Sequence, residues 1–394
     1  MNSFDLLENF SVSRILLLSL GIWPYNQSKF TLVQIIVSFS IIVNFTVFQF
    51  TALLTTECTS DFVITVFSST TVTIATMIIY NSFVVNKHSI KYLLEQLQHV
   101  CNELKDENEI AIIKDYGSNA QRHAAKITFC AAAFFIIVQI MWFPGFNIFL
   151  SKNESGRHQA LFIVTEYFFD QEKYFYLILL HMDATFLIML LGTVATGTTI
   201  LIFLKHICGM LKIASYRIEQ TMEINVQYNI NLKNVIMIYK NIVYAVDIHR
   251  KAMMLSTSMM KEFEGSFFFL VIILVSGLSL NLYRIFQIIS FEYNLMKIVI
   301  HSAYVSATLT YIFMSNYIAQ QVTDHNEDLF VTVYNIRWYV TPPHIQKIIL
   351  LLLQRGSKPF YLRIAKIFVG SLEYFASLTS ASMSYFTVIY STQQ

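Results

Sequence analysis

Seven long apolar stretches run through the chain, at 31–54, 62–84, 127–150, 177–204, 265–289, 298–319 and 367–391. Each is long enough to cross a hydrocarbon core, which takes about 20 mostly apolar residues. Lipid offers the backbone no water to bond, so a spanning segment must satisfy its own polar groups as a helix. Long unbroken apolar runs do not read as the short alternating strands of a membrane barrel. The expected fold is all-α: a polytopic membrane protein, 1–394 forming a single domain of seven transmembrane helices. Composition agrees, with 55% hydrophobic and only 13% charged residues, where soluble chains carry about 25% charged.

Lysines and arginines fall almost entirely in alternate gaps between the spans. The gap after span two holds Lys87, Lys91, Lys105, Lys114, Arg122 and Lys126. The gap after span four holds Lys205, Lys212, Arg217, Lys233, Lys240, Arg250, Lys251 and Lys261. The gap after span six adds Arg337, Lys347, Arg355, Lys358 and Arg363, whereas the intervening gaps hold only Lys152, Arg157, Lys173 and Lys297. By the positive-inside rule the N-terminus is cytoplasmic and the C-terminus extracellular. That orientation is the reverse of a G-protein-coupled receptor. The Asp-Arg-Tyr element after span three and the Asn-Pro-x-x-Tyr element of span seven, both expected of such a receptor, are also missing.

Other classes fit poorly. There are no internal repeats of the kind a secondary transporter predicts. No nucleophile–base or metal constellation marks an enzyme, and no cofactor is implied. Cys58 lies in the first external gap, Cys130 in a span, and Cys101 and Cys208 on the cytoplasmic side. This placement predicts no structural disulfide. The apolar patch Leu16, Leu17, Leu18 is followed by Trp23 and Pro24 with no small-residue cleavage site, so no cleavable leader is expected.

The basic gaps carry helical periodicity. Ile90, Leu93, Leu94, Leu97 and Leu104 share a helical face, and 207–222 and 236–260 are similar. These read as helices that continue beyond the bilayer and pack beneath it. Between spans six and seven, 324–338 is amphipathic and is ended by the pair Pro342 and Pro343. The segment 345–353 follows, with Ile348 to Leu353 apolar around most of a helix. Such a segment must be buried, within one subunit or between subunits.

Span seven carries the most unusual pattern. Ser377, Ser380, Ser384, Val388 and Ser391 recur at three- or four-residue steps and so share one face of a helix. Small hydroxyl residues permit close helix packing. The same stripe would also suit a water-filled pore, with Val388 as a hydrophobic constriction that gates by dewetting. Both readings stand on spacing alone.

Ionisable groups at membrane depth are functional candidates. Asp183, near His181, reads either as half of a polar pair or as a ligand hydrogen-bond site. Glu373 reads as a structural anchor at the inner end of span seven. Arg284 and Arg363 are expected to snorkel to the interface. Asn153-Glu154-Ser155 is a glycosylation acceptor in an external gap, whereas the matches at Asn9 and Asn26 would be cytoplasmic and silent.

The C-terminal region 316–391 resembles the signature region of insect odorant receptors. The resemblance rests on Trp338-Tyr339, Lys358-Pro359, Ser371-Leu372-Glu373 and Ser384-Tyr385-Phe386-Thr387, with the N-terminal Gly21 to Tyr25 run "GIWPY" fitting too. It implies a subunit of a tetrameric, odorant-gated, non-selective cation channel, assembled with a shared co-receptor in the plasma membrane of olfactory neuron dendrites. The gap 205–264 lacks the long co-receptor insertion, so the chain resembles an odorant-tuned partner. The gustatory receptors of the same superfamily are the alternative, but their span-seven ending is not matched. The resemblance places the gate at Val388, the pore-lining helix at 367–392 (with Thr392 at its end), and a cytoplasmic anchor at 320–366 together with the extensions of helices four to six. It also implies a small volatile ligand in the outer half of the bundle, between spans two, three, four and six. There the candidates are Phe67 and Thr71, then Gln139, Trp142 and Phe146, then Tyr176, Met182, Asp183 and Phe186, and finally His301, Tyr304 and Thr308. Aromatic walls with few polar groups suit such a ligand.

Overall fold

The computed structural model describes residues 6–142, 163–170, 173–227, 232–358, 360–365 and 367–393. A short 3-10 turn, Leu6–Phe10, leads into α1 (Ser11–Ser19). Then come α2 (Lys29–Thr55), α3 (Ser60–Val85), α4 (Lys87–Glu103) and α5 (Glu107–Trp142). Two very long helices follow, α6 (Phe175–Gln227, 53 residues) and α7 (Leu232–Gln287, 56 residues). A π-helical turn, Ile288–Glu292, joins α7 to α8 (Leu295–Asn335). The chain ends with α9 (Pro343–Gly356), a two-residue hairpin of β1 (Arg363–Ile364) and β2 (Phe368–Val369), and α10 (Leu372–Gln393).

Among the described residues, six helices, α2, α3 and α5 to α8, are long and apolar enough to cross a membrane. The seventh, α10, has 22 residues, about 33 Å at 1.5 Å per residue, which matches the hydrocarbon core of about 30 Å. Its serines and threonines make it less apolar than the rest. Helix starts follow local chemistry. Ser28 and Thr31 form a reciprocal capping box at α2, Thr59 caps α3 through the Phe62 N–H, and Asn294 caps α8 through the Lys297 N–H.

At 56 residues, α7 is about 84 Å long, far beyond a bilayer core of about 30 Å. The excess length of α6, α7 and α8 lies at the end that carries the lysine- and arginine-rich segments. There the helices bury the largest apolar cluster of the protein, including Leu94, Leu97, Ile113, Leu211, Ile248 and Leu329. Within the spans burial is uneven: 56% of the most apolar stretch of α6 is buried, but only 6% of that of α5. Lipid is as apolar as leucine, so no hydrophobic force closes helices on one another in the membrane. Beyond it, water supplies that force.

Polar ties tighten the same end. Glu109 of α5 accepts two hydrogen bonds from Arg217 of α6, at 2.6 and 2.8 Å, and Arg217 Nη1 also donates to the Tyr244 carbonyl of α7 at 2.8 Å. Tyr116 and His325 meet at 2.7 Å, and His249 and Asn326 at 2.9 Å. Complete burial pushes the His206 imidazole down to about 4, partly countered by its bond to the Ile202 carbonyl. Gly209 lets α6 approach α5, since a Cβ there would lie 2.9 Å from Ile113 Cδ1. The N-terminal segment is inserted into this core. Leu6, Phe10 and Leu17 are fully buried, Ser13 donates to Thr198 at 2.9 Å, and Tyr80 donates to the Leu20 carbonyl at 3.1 Å.

Helix α8 continues through 324–335, so the amphipathic segment extends the sixth span. Three sequence expectations are corrected. Pro343 opens α9 instead of closing its predecessor, because its missing N–H costs nothing in a first turn. The last span begins at Leu372, since 363–369 is occupied by the hairpin. Arg284 does not snorkel: it is 4% exposed and bonds Gln287 one turn along α7.

Arg217→Ala leaves the Glu109 carboxylate buried without its cation, which costs up to about 3–5 kcal/mol when one partner of a buried pair is removed. Thermal unfolding of the detergent-purified protein should show that loss. The double variant Glu109→Leu/Arg217→Met should recover most of it.

Candidate functional site

Helix α10 has two unlike faces. Leu378 and Ser382 are buried, Leu378 packing with Val275 of α7 and Ile312 of α8. Phe286 of α7 stacks edge-on against Phe386 and Tyr390, with centroids 6.3 and 4.9 Å apart. The other face carries Ser377, Ser380, Ser384, Val388, Ser391 and Thr392, all exposed, with Val388 at 57%. The hydroxyls do not reach other helices. Ser377 donates to the Glu373 carbonyl, Ser384 to the Ser380 carbonyl, and Ser391 to the Val388 carbonyl, each within α10. Back-bonding of this kind satisfies a hydroxyl proton and leaves the oxygen lone pairs facing outward. Among the described residues, the stripe is therefore uncovered within the subunit.

The start of α10 is fastened to α8. The Ser371 N–H donates to Asn316 Oδ1 at 3.2 Å, and Ser371 Oγ accepts from the Tyr374 N–H at 3.1 Å. A Cβ on Gly370 would fall 2.5 Å from Ala319 Cβ, so only glycine allows this approach. Glu373 is exposed in the first turn, where the helix dipole favours a negative charge. Helix α9 shows the same duality as α10: Ile345, Ile349 and Leu352 are buried, while Leu350 is exposed and Leu351 is 65% exposed. One apolar face is covered within the subunit and the other is bare.

The candidate ligand residues divide into groups. Met182 and Phe186 of α6 join Phe45 of α2, Ile163, Tyr167 and Ile178 in a buried apolar cluster, with Ile300 of α8 packed against it. Gln139 of α5 lies beside the Asp183 carboxylate of α6. Thr71 of α3 is buried against Gly277 of α7, where a Cβ would lie 2.7 Å from Thr71 Oγ1. His301 of α8 is buried, 2.8 Å from Asn281 of α7, with the Tyr304 ring 6.3 Å away. Thr308 is half-buried two turns further along α8.

Two candidates lie apart. Tyr176 is 74% exposed at the N-terminal end of α6, and Phe67 is an exposed ring against Phe50 of α2. Trp142 ends α5 in the described chain. Phe146 and Asn153 lie outside the described residues. Of the two readings of Asp183, the pair with His181 is not made. Residues two apart in a helix point away from each other, and His181 instead bonds Tyr167 Oη at 2.8 Å.

Two features escape sequence reasoning. Tyr167 and His181 belong to an aromatic nest with Phe45 and Phe48, and the segment holding Tyr167 is tied to α2. The Glu166 N–H donates to the Phe48 carbonyl, and Thr51 Oγ1 to the Glu166 carbonyl, both at 2.8 Å. No spacing in the sequence announces this contact across 115 positions. The second feature is Asn281, whose amide sits deep in the fifth apolar span. Polar side chains at membrane depth mark function or helix pairing, a signal that the chain did offer.

The sequence profile of the family described as 7tm Odorant receptor matches residues 59–383. Odorant receptor 10 of Aedes albopictus is 31% identical over 96 residues, covering 24% of this chain and 26% of that protein. Odorant receptor Or2 of Anopheles gambiae is 24% identical over 102 residues, covering 26% of this chain and 27% of that protein. The chain thus aligns with about a quarter of the length of these curated relatives. In fold, it is similar to the insect olfactory receptor OR5 from Machilis hrabei in complex with eugenol, with TM-score 0.75 and 15% identity over 98% of this chain and 97% of that one. A second structure of the same receptor gives TM-score 0.69 at 15% identity, over 97% and 96% of the two chains.

Gly277→Ala should lower the thermal midpoint of the purified protein, because the added methyl overlaps Thr71. Thr71→Ala in the same chain opens that space, so the double variant should regain most of the midpoint.

Proposed function

Because the chain belongs to the 7tm odorant receptor family, we propose that it is an odorant-tuned subunit of an odorant-gated, non-selective cation channel. The observation that carries this reading is the exposed face of α10, hydroxyls on either side of an exposed Val388. A row of hydroxyls gains nothing against lipid, but it gains solvation along an aqueous pore. In a ring of subunits, Val388 side chains would meet around the axis and close the pore by dewetting. The bare face of α9, with Leu350 and Leu351, supplies an apolar surface for joining subunits at the basic end. We take 320–366, with the long ends of α6, α7 and α8, as that anchor. The positive-inside rule assigns the basic end to the cytoplasm and the C-terminus to the outside. The partner subunits are those of a shared co-receptor, in the plasma membrane of the sensory neuron.

The ligand in this reading is a small volatile molecule held in the outer half of the bundle near Met182, Phe186, Tyr304 and the Gln139–Asp183 pair. An apolar wall with few fixed polar groups binds such a molecule by shape and burial. Opening follows if the molecule binds the open arrangement better than the closed one.

Co-expression with an insect co-receptor, under application of volatile compounds, tests the channel. The expected result is fast cation current that persists when G-protein signalling is blocked; loss of the current under that block overturns the proposal. Val388→Ser should raise the current that flows without odorant, and an unaltered resting current would remove Val388 as the gate. An epitope tag fused after Gln394 should be stained on intact cells. A tag reached only after permeabilisation would reverse the assigned orientation.

A further inference from the structure

Helix α7 lies between the candidate ligand region and α10, and it is bonded to both sides. On one side Asn281, 2% exposed, connects three helices. Its Nδ2 donates to the Ser68 carbonyl of α3 at 2.9 Å and to the Gly277 carbonyl of its own helix at 2.8 Å. Both amide protons are thereby engaged, so Oδ1 is the acceptor and His301 Nδ1 of α8 is the donor, at 2.8 Å. Gly277, one turn away, brings α3 close enough for Thr71 to pack on the α7 backbone. On the other side Ser279 Oγ lies 3.0 Å from the Ser382 carbonyl of α10 and 2.9 Å from the Val275 carbonyl. Val275 and Phe286 continue that face onto Leu378, Phe386 and Tyr390.

We propose that Asn281 is a positioning residue that couples ligand occupancy beside His301 to the pore helix. The proposal rests on the channel reading above. Buried amides in a bilayer have no water to fall back on, so the three partners of Asn281 move together or leave a polar group unsatisfied. A ligand that shifts His301 and Tyr304 on α8 therefore shifts α7. The Ser279–Ser382 contact and the aromatic contacts of Phe286 carry that shift to α10 on either side of Val388. Asn281 does not itself touch ligand in this scheme. It converts a displacement of α8 into a displacement of α7.

The test uses the full chain co-expressed with an insect co-receptor, with a panel of volatile phenols, alcohols and esters that includes eugenol. The most potent member serves as probe. Asn281→Leu removes the bonds at similar volume. It should raise the half-maximal probe concentration by about tenfold or more, within the range of about 5- to 150-fold typical of allosteric coupling. His301→Leu should have a similar effect, and the double variant should be little worse than either single one, as expected for one shared link. Asn281→Leu/Val388→Ser should retain the resting current of Val388→Ser, a readout of an assembled pore. Additive effects of the two leucine substitutions overturn the coupling, as does an unshifted response in Asn281→Leu. Loss of the resting current together with surface staining assigns Asn281 a purely structural role and also overturns it. Absence of any panel response from the parent chain, with Val388→Ser failing to leak, overturns the channel reading itself.

Discussion

Lipid provides neither water for a polar group nor a hydrophobic force between helices. Much of the rest of the structure follows from that pair of denials. The backbone answers the first by forming helices that satisfy themselves. The chain answers the second by extending α6, α7 and α8 out of the bilayer, to where burying leucine and isoleucine again releases water. Its largest apolar cluster and its buried Glu109–Arg217 pair both lie there. Within the spans, cohesion falls to small-residue contacts such as Thr71 on Gly277 and to a few hydrogen bonds such as those of Asn281.

This division separates two tasks. The basic end is bonded across α5, α6, α7 and α8 and is built to hold its shape. Among the described residues, the opposite end is joined by the aromatic nest of Phe45, Phe48, Tyr167 and His181. Elements that must move are drawn from the less stable parts of a fold. On the proposed channel reading, that division sets a ligand-responsive half on a rigid base.

Much of the fold was legible in the residues. Apolar run length located the helices, and the periodicity of 207–222 and 236–260 foretold the extended ends of α6 and α7. The serine spacing of 377–391 identified a distinct face of α10, and that face is exposed. What could not be read were contacts between positions far apart in the chain. Arg284 looked interfacial because charge near a span end usually reaches for water, yet Gln287 one turn on offered it a buried partner. Asp183 and His181 are neighbours in sequence but point apart, and His181 found its mate on another segment. The segment 367–371 looked like membrane helix by composition, but the bonds of Gly370 and Ser371 hold it in a turn against Leu362 and Asn316.

That turn has a mechanical consequence. Helix α10 is bolted by its backbone at Ser371 and held further along by side chains and the Ser279 contact, so on the proposed channel reading it is a lever with its fulcrum at its N-terminal end. At 1.5 Å per residue, Ser382 stands about 16 Å from the fulcrum and Val388 about 25 Å. In the proposed channel, a push delivered at Ser382 is magnified about one and a half times at Val388, and a small lateral step by α7 becomes a larger sweep at the far end of the arm.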